Sequence, residues 1–103
     1  MVVEEVVAPM LPRTATRTIV VSNPTGLHAR PSMAIVNLVR RFQSKIQVRK
    51  GDQVADASSI LDLMGLGAPQ GTELVFTATG PDAEEALEAM AALFADSFGL
   101  HLD

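Results

Sequence analysis

The chain has 103 residues, 48% of them hydrophobic, 4% aromatic and 19% charged, which is enough for one compact domain and too few for two. The absence of cysteine excludes disulfide frameworks, thiolate metal centres and cysteine nucleophiles, and leaves two histidines for imidazole chemistry. A formal charge of −4, with no Trp or Tyr for base stacking, argues against a protein that lives on nucleic acid or on anionic membrane.

Val2, Val3, Val6, Val7, Met10 and Leu11 make the start apolar, but Glu4 and Glu5 interrupt it and no base precedes Arg13, the reverse of a secretory leader. Pro9 and Pro12 oppose a central strand or a long helix there. Residues 1–15 are therefore expected to form a flexible extension, and residues 16–103 the domain. No apolar run reaches the ~20 residues needed to cross a bilayer, so no membrane insertion and a cytoplasmic location are the expectation.

From Thr16 to Ser22 a β-branched run predicts a first strand, closed by the turn chemistry of Asn23, Pro24, Thr25 and Gly26. Ala34, Ile35, Leu38, Val39 and Phe42 then recur at helix spacing, predicting a helix from about Ala29 to Phe42 with Pro31 in its opening turn. Ile46 and Val48 alternate with Lys45, Gln47 and Arg49, and Gly51-Asp52 turns that strand into a short partner from Gln53 to Asp56. Ser59 with Asp62 three residues on signals a short capped helix, stopped by Gly65 and Gly67. A glycine loop leads to Gly71, and Glu73 to Thr79 forms the last strand, with Leu74, Phe76 and Ala78 on one face. Gly80, Pro81 and Asp82 open a final helix lined by Ala83, Ala86, Leu87, Met90, Leu93 and Phe94, with Glu84, Glu85 and Glu88 facing water and Gly99 as a stop. One-faced strands with two long amphipathic helices give an α+β chain in the order β-α-β-β-α-β, with an antiparallel or mixed sheet covered on one side.

The stretch from Asn23 to Pro31 holds the chemistry. It sets His28 at the mouth of a helix, where backbone N–H groups lack internal partners and negative charge is welcome. A phosphoryl group on that imidazole would be held by the helix start and by Arg30, whose guanidinium makes paired bonds to phosphate oxygens. A neutral ring nitrogen is the nucleophile such a transfer needs. Position alone also fits an inert, partly exposed histidine.

Gly26-Leu27-His28-Ala29-Arg30-Pro31 resembles the active-site signature of HPr, the histidine-containing phosphocarrier of the bacterial phosphoenolpyruvate-dependent sugar phosphotransferase system. Ser59 to Ala68 and Gly71 to Leu74 resemble that family's second motif at a fitting distance, so the likeness covers roughly Thr16 to Leu100. The resemblance implies an open-faced β-sandwich whose four-stranded antiparallel sheet is covered on one face by helices. It implies His28 as phosphoryl acceptor on Nδ1 and Arg30 as the assisting arginine, in a carrier rather than a turnover enzyme. Enzyme I would be the donor and Enzyme IIA components the acceptors, with no cofactor and no metal. A convex apolar surface for both partners is expected at Leu61, Met64 and Leu66, each of which also reads as ordinary core. Ser59 matches the serine that a dedicated HPr kinase/phosphorylase modifies, although Ser58 stands where regulated members carry lysine; its other reading is a plain helix cap. A monomer is the default.

Arg40, Arg41, Lys45, Arg49 and Lys50 gather five of the eight basic residues, and are expected to form either a steering face or a merely solvated one. His101 reads as a tail residue, and the extension as a departure from a family that begins near its first strand. The rival readings are a regulatory protein of the same fold, controlled through His28 or Ser59 without sugar transport, and an unrelated metal-handling or RNA-binding plait. The second rival lacks both a Cys-x-x-Cys pair and an aromatic ribonucleoprotein motif.

Overall fold

A computed structural model of the chain describes residues 13–99. The elements run β1 (Thr14–Val20), α1 (Ala29–Val39), β2 (Lys45–Lys50), β3 (Gln53–Asp56), α2 (Ile60–Gly65), β4 (Glu73–Thr79) and α3 (Ala83–Ala95), followed by a terminal turn at Ser97–Gly99. The sheet order is β1-β4-β2-β3, and every neighbouring pair is antiparallel. This is the expected open-faced α+β sandwich.

Register follows from burial. Ile19 pairs with Leu74, Ile46 with Ala78 and Val48 with Phe76, which brings the apolar residues of three strands onto one face. A one-residue slip would turn all of them to solvent. Ile35, Val36, Leu38 and Val39 of α1, with Ala86, Leu87, Met90 and Phe94 of α3, close over that face as one core. Each large apolar side chain buried there stabilises the fold by about 1.5–3 kcal/mol. The alternate residues, Thr14, Thr16 and Thr18 of β1 with Lys45, Gln47 and Arg49 of β2, form the other, open face.

Three elements have boundaries that differ from the sequence expectation. β1 starts at Thr14, because Thr14 and Ala15 pair with Thr79 and Ala78 and the ladder overrides local propensity. The boundary expected after residue 15 thus falls inside β1, while the flexibility expected of the extension and the tail role of His101 lie outside the described residues. α1 stops at Val39, and the chain tightens as Arg41 and Phe42 donate to Leu38 and Val39 three residues back. α3 ends at Ala95, before Gly99, and Ser97 and Phe98 adopt left-handed φ of 51° and 58°. That conformation costs about 1–2 kcal/mol per residue. It is offset by burying Phe98 edge-on to Phe94 at 4.7 Å, with Phe94 edge-on to Phe76 at 5.6 Å.

Asp82 does more than open α3. Its side chain makes no cap bond to that helix; instead its carboxylate accepts the N–H of Gln43 and of Ser44, both at 2.9 Å, and the Ser44 hydroxyl at 2.6 Å. A Cβ on Gly80 would lie 2.6 Å from the Ser44 Cα, so only glycine lets the two segments approach this closely. The turn between α1 and β2 is thereby clamped to the start of α3.

The Ser44 hydroxyl, followed by the Gln43 amide, holds the Asp82 carboxyl below its ordinary value. A carboxylate with a lowered folded-state pKa contributes stability that is present above the unfolded pKa and lost as pH falls through the folded value. Asp82→Asn is therefore expected to lower the urea midpoint at neutral pH, and to make the loss of stability below about pH 4 shallower than in the parent chain. Urea titrations across that range check both effects.

Candidate functional site

His28 is the N-cap of α1. Its backbone is extended (φ −85°, ψ −166°), its carbonyl accepts the first helical bond from the Ser32 N–H at 3.1 Å, and its Nδ1 accepts the Arg30 N–H at 3.4 Å, a long bond. An accepting Nδ1 carries no proton, so the neutral ring bears its proton on Nε2. Pro31 has no N–H, so the amides of Ala29 and Arg30 are the two donors that precede the Ser32 bond. The His28 ring is half-buried and lines a shallow depression of about 250 Å³ with Thr25, Leu27, Gly67, Ala68 and Pro69. Arg30 is exposed two residues further on.

The turn before His28 is held from inside. Asn23 is buried and donates through Nδ2 to the Gly26 carbonyl at 2.8 Å; the Gly26 N–H returns to the Asn23 carbonyl at 3.2 Å, and the His28 N–H bonds the Gly26 carbonyl at 3.0 Å. Gly26 has a φ of +69°, and a Cβ there would sit 2.4 Å from the Ala68 carbonyl oxygen. The same oxygen accepts the Leu27 N–H at 3.0 Å. Further along, Gly71 N–H to Val21 O (2.7 Å), Val21 N–H to Thr72 O (2.9 Å) and Gln70 Nε2 to Ser22 O (3.0 Å) complete the seam. The two motifs read separately in the sequence thus meet at the His28 turn.

Ser59 caps α2, its hydroxyl accepting the Asp62 N–H at 3.2 Å. The Asp62 carboxylate does not reach back to Ser59; it accepts the Asp56 N–H at 3.1 Å, while the Ser59 N–H bonds the Asp56 carbonyl at 3.0 Å. Asp56 in turn accepts the Ser58 hydroxyl at 2.6 Å and the Ser58 N–H at 2.8 Å, and these bonds, the hydroxyl first, hold its carboxyl below the ordinary value. A network of short polar links therefore fixes the chain around Ser59, which is itself half-buried.

Of the three residues expected to form an apolar surface, Leu61 is 82% exposed and Met64 43%. Leu66 is not exposed with them, against the expectation. It is 3% exposed, because it follows Leu63 by three residues and shares the inward side of α2. Met33 on α1 is also exposed, at 47%; it is apolar yet lies off the apolar stripe of its helix, and that is the sequence signal for its exposure. α1 and α2 pack on one another, so Met33, Leu61 and Met64 are exposed on neighbouring elements. The five basic residues sit on different elements: Arg40 and Arg41 follow α1, Lys45 and Arg49 lie on the open sheet face, and Lys50 reaches the carbonyls of Leu66 and Gly67.

A family model described as "PTS HPr component phosphorylation site" matches residues 15–96. The phosphocarrier protein NPr of Escherichia coli (strain K12) is 36% identical over 86 residues, covering 82% of this chain and 96% of that protein. A multiphosphoryl transfer protein of Haemophilus influenzae is 39% identical over 85 residues, and the chain spans 17% of its length. The crystal structure of HPr-C-His from Thermoanaerobacter tengcongensis matches with a TM-score of 0.80 at 39% identity, covering 84% of this chain and 98% of that one.

Because Gly26 combines a left-handed backbone with contact against Ala68, Gly26→Ala is expected to destabilise the chain by about 2–5 kcal/mol, the sum of a backbone and an overpacking effect. Urea denaturation measures the loss.

Proposed function

The chain belongs to the HPr family of phosphotransferase-system phosphocarriers, and from that premise we propose that it accepts a phosphoryl group on His28 from phosphorylated Enzyme I and passes it to Enzyme IIA components. The observation that carries the reading is the His28 Nδ1, which faces the start of α1 and receives the Arg30 N–H. In the transfer, the Nδ1 lone pair attacks the phosphorus of the donor's phosphohistidine. The new N–P bond forms as the donor's N–P bond breaks, and its electron pair returns to the donor ring, which leaves neutral when its other nitrogen is protonated. The proton on Nε2 of His28 stays in place, so one N–P bond replaces another with no water consumed and no net proton released.

Once Nδ1 is bonded to phosphorus, it can no longer accept from Arg30. The Arg30 N–H, with that of Ala29, is then available to phosphoryl oxygens, and the Arg30 guanidinium adds charge-assisted bonds. The helix start is thus matched to the charge that arrives. The chain acts as a carrier and not as a turnover enzyme: the site is an open depression, and exposed Leu61 and Met64, with Met33, offer a small apolar area to which two unlike partners bind weakly in turn. Both partners would meet it in the cytoplasm; among the described residues no helix is long and apolar enough to cross a membrane.

Regulation through Ser59 is the second reading, favoured by the place of this half-buried serine two residues from exposed Leu61. A phosphate there is tolerated by the helix start but sets two negative charges beside the apolar surface. Ser58, in place of the lysine of regulated members, weakens the case for recognition by a kinase.

Incubation with Enzyme I, phosphoenolpyruvate and magnesium is expected to add one acid-labile, base-stable phosphoryl group. His28→Ala should abolish it. Arg30→Ala should slow it about 10- to 100-fold, the effect of losing a charged hydrogen bond. Mass spectrometry after timed quenching reads both, and uptake unchanged in the His28 variant would overturn the reading.

A further inference from the structure

We propose that Lys50 is a positioning residue for His28, acting through the segment from Leu66 to Pro69; the inference rests on the phosphocarrier reading and names a residue outside both motifs. Lys50 is the last residue of β2 and is half-buried. Its Nζ lies 2.7 Å from the Leu66 carbonyl oxygen and 3.3 Å from that of Gly67. Leu66 is the C-cap of α2, so the ammonium sits where the helix presents carbonyls and the negative end of its dipole. Such a bond to a charged group is among the stronger ones available to a partly buried side chain.

What lies beyond those carbonyls gives the bond its reach. The next carbonyl along, that of Ala68, accepts the Leu27 N–H and presses against Gly26, and Gly67, Ala68 and Pro69 form one wall of the depression around His28. The far side of this loop is tied down by Gln70, Gly71 and Thr72 to Val21 and Ser22. At the near side, Lys50 bonds the carbonyls of 66 and 67, and it joins the sheet directly to the loop. Loss of the ammonium leaves those carbonyls to solvent and lets the Ala68 oxygen shift against Leu27. The residue after Leu27 is His28, whose long Nδ1 bond to the Arg30 N–H has little tolerance for a change of angle. Lys50 therefore sets the pose of the imidazole without touching it.

Lys50→Met keeps the stem and removes the charge; Lys50→Arg keeps the charge. Two measurements on the full chain separate positioning from mere support, both made well below the melting temperature. In the first, Lys50→Met is expected to reach the same final phosphorylation as the parent but about three- to tenfold more slowly, as a displaced nucleophile does, with Lys50→Arg restoring most of the rate. In the second, NMR of the unphosphorylated proteins should show the Leu27 and Ala68 amides and the pH titration of the His28 ring displaced in Lys50→Met and returned toward the parent in Lys50→Arg. A parent rate and an unmoved His28 titration in Lys50→Met, with only the melting temperature lowered, would overturn the proposal. Should the parent itself take no phosphoryl group on His28, the phosphocarrier reading fails, and the NMR comparison still decides whether Lys50 orients the ring.

Discussion

The Ala68 carbonyl oxygen, wedged against Gly26 and bonded to the Leu27 N–H at 3.0 Å, is the contact on which the rest of the structure depends. It joins two loops more than forty residues apart at the point where β1 has ended and α1 is about to begin. Without it, the turn from Asn23 to Leu27 would lose a tie that helps to set the direction in which α1 leaves. With it, the first residue of the helix is fixed relative to the C-terminal end of α2, and His28 stands in the gap between the two. Gly26 has no side chain for a reason of space as much as of dihedral angle.

Around this junction, rigidity is distributed unevenly. Phe76, Phe94 and Phe98 stack edge-on through the core, and the Asp82 clamp holds the far end of α1 to α3. The end of α1 that bears His28 is instead anchored by backbone bonds and by the Asn23 side chain, beside an open depression. A one-sided sandwich suits this division. The covered face supplies stability through burial, and the loops at one end are free to present chemistry without entering the core.

Much of this was readable from residue order. The β-branched and alternating runs located all four strands, and the alternation in β4 named its buried face residue by residue. The glycine turn, His28, Arg30 and the Ser59 cap were visible because each depends on neighbours within a few positions. What escaped the sequence depends on partners far along the chain. Asp82 reads as a helix opener, yet its acceptors are spent on Gln43 and Ser44; Lys50 reads as one base in a cluster, yet it binds carbonyls sixteen residues later. Thr14 and Ala15 look like linker until pairing with β4 makes them strand. Leu66 was ambiguous for a related reason: on a helix of six residues, the inward and outward sides cannot be told apart by periodicity.

The half-buried imidazole in its shallow basin has one more consequence. Among the described residues, no segment folds over it, so a high-energy N–P bond formed there would remain within reach of bulk water. Its survival would be governed by the intrinsic hydrolytic lifetime of the phosphoramidate and not by shielding. Were His28 the acceptor, such a site would be suited to passing activated phosphate on and not to storing it, with an output that mirrors supply and demand at each moment.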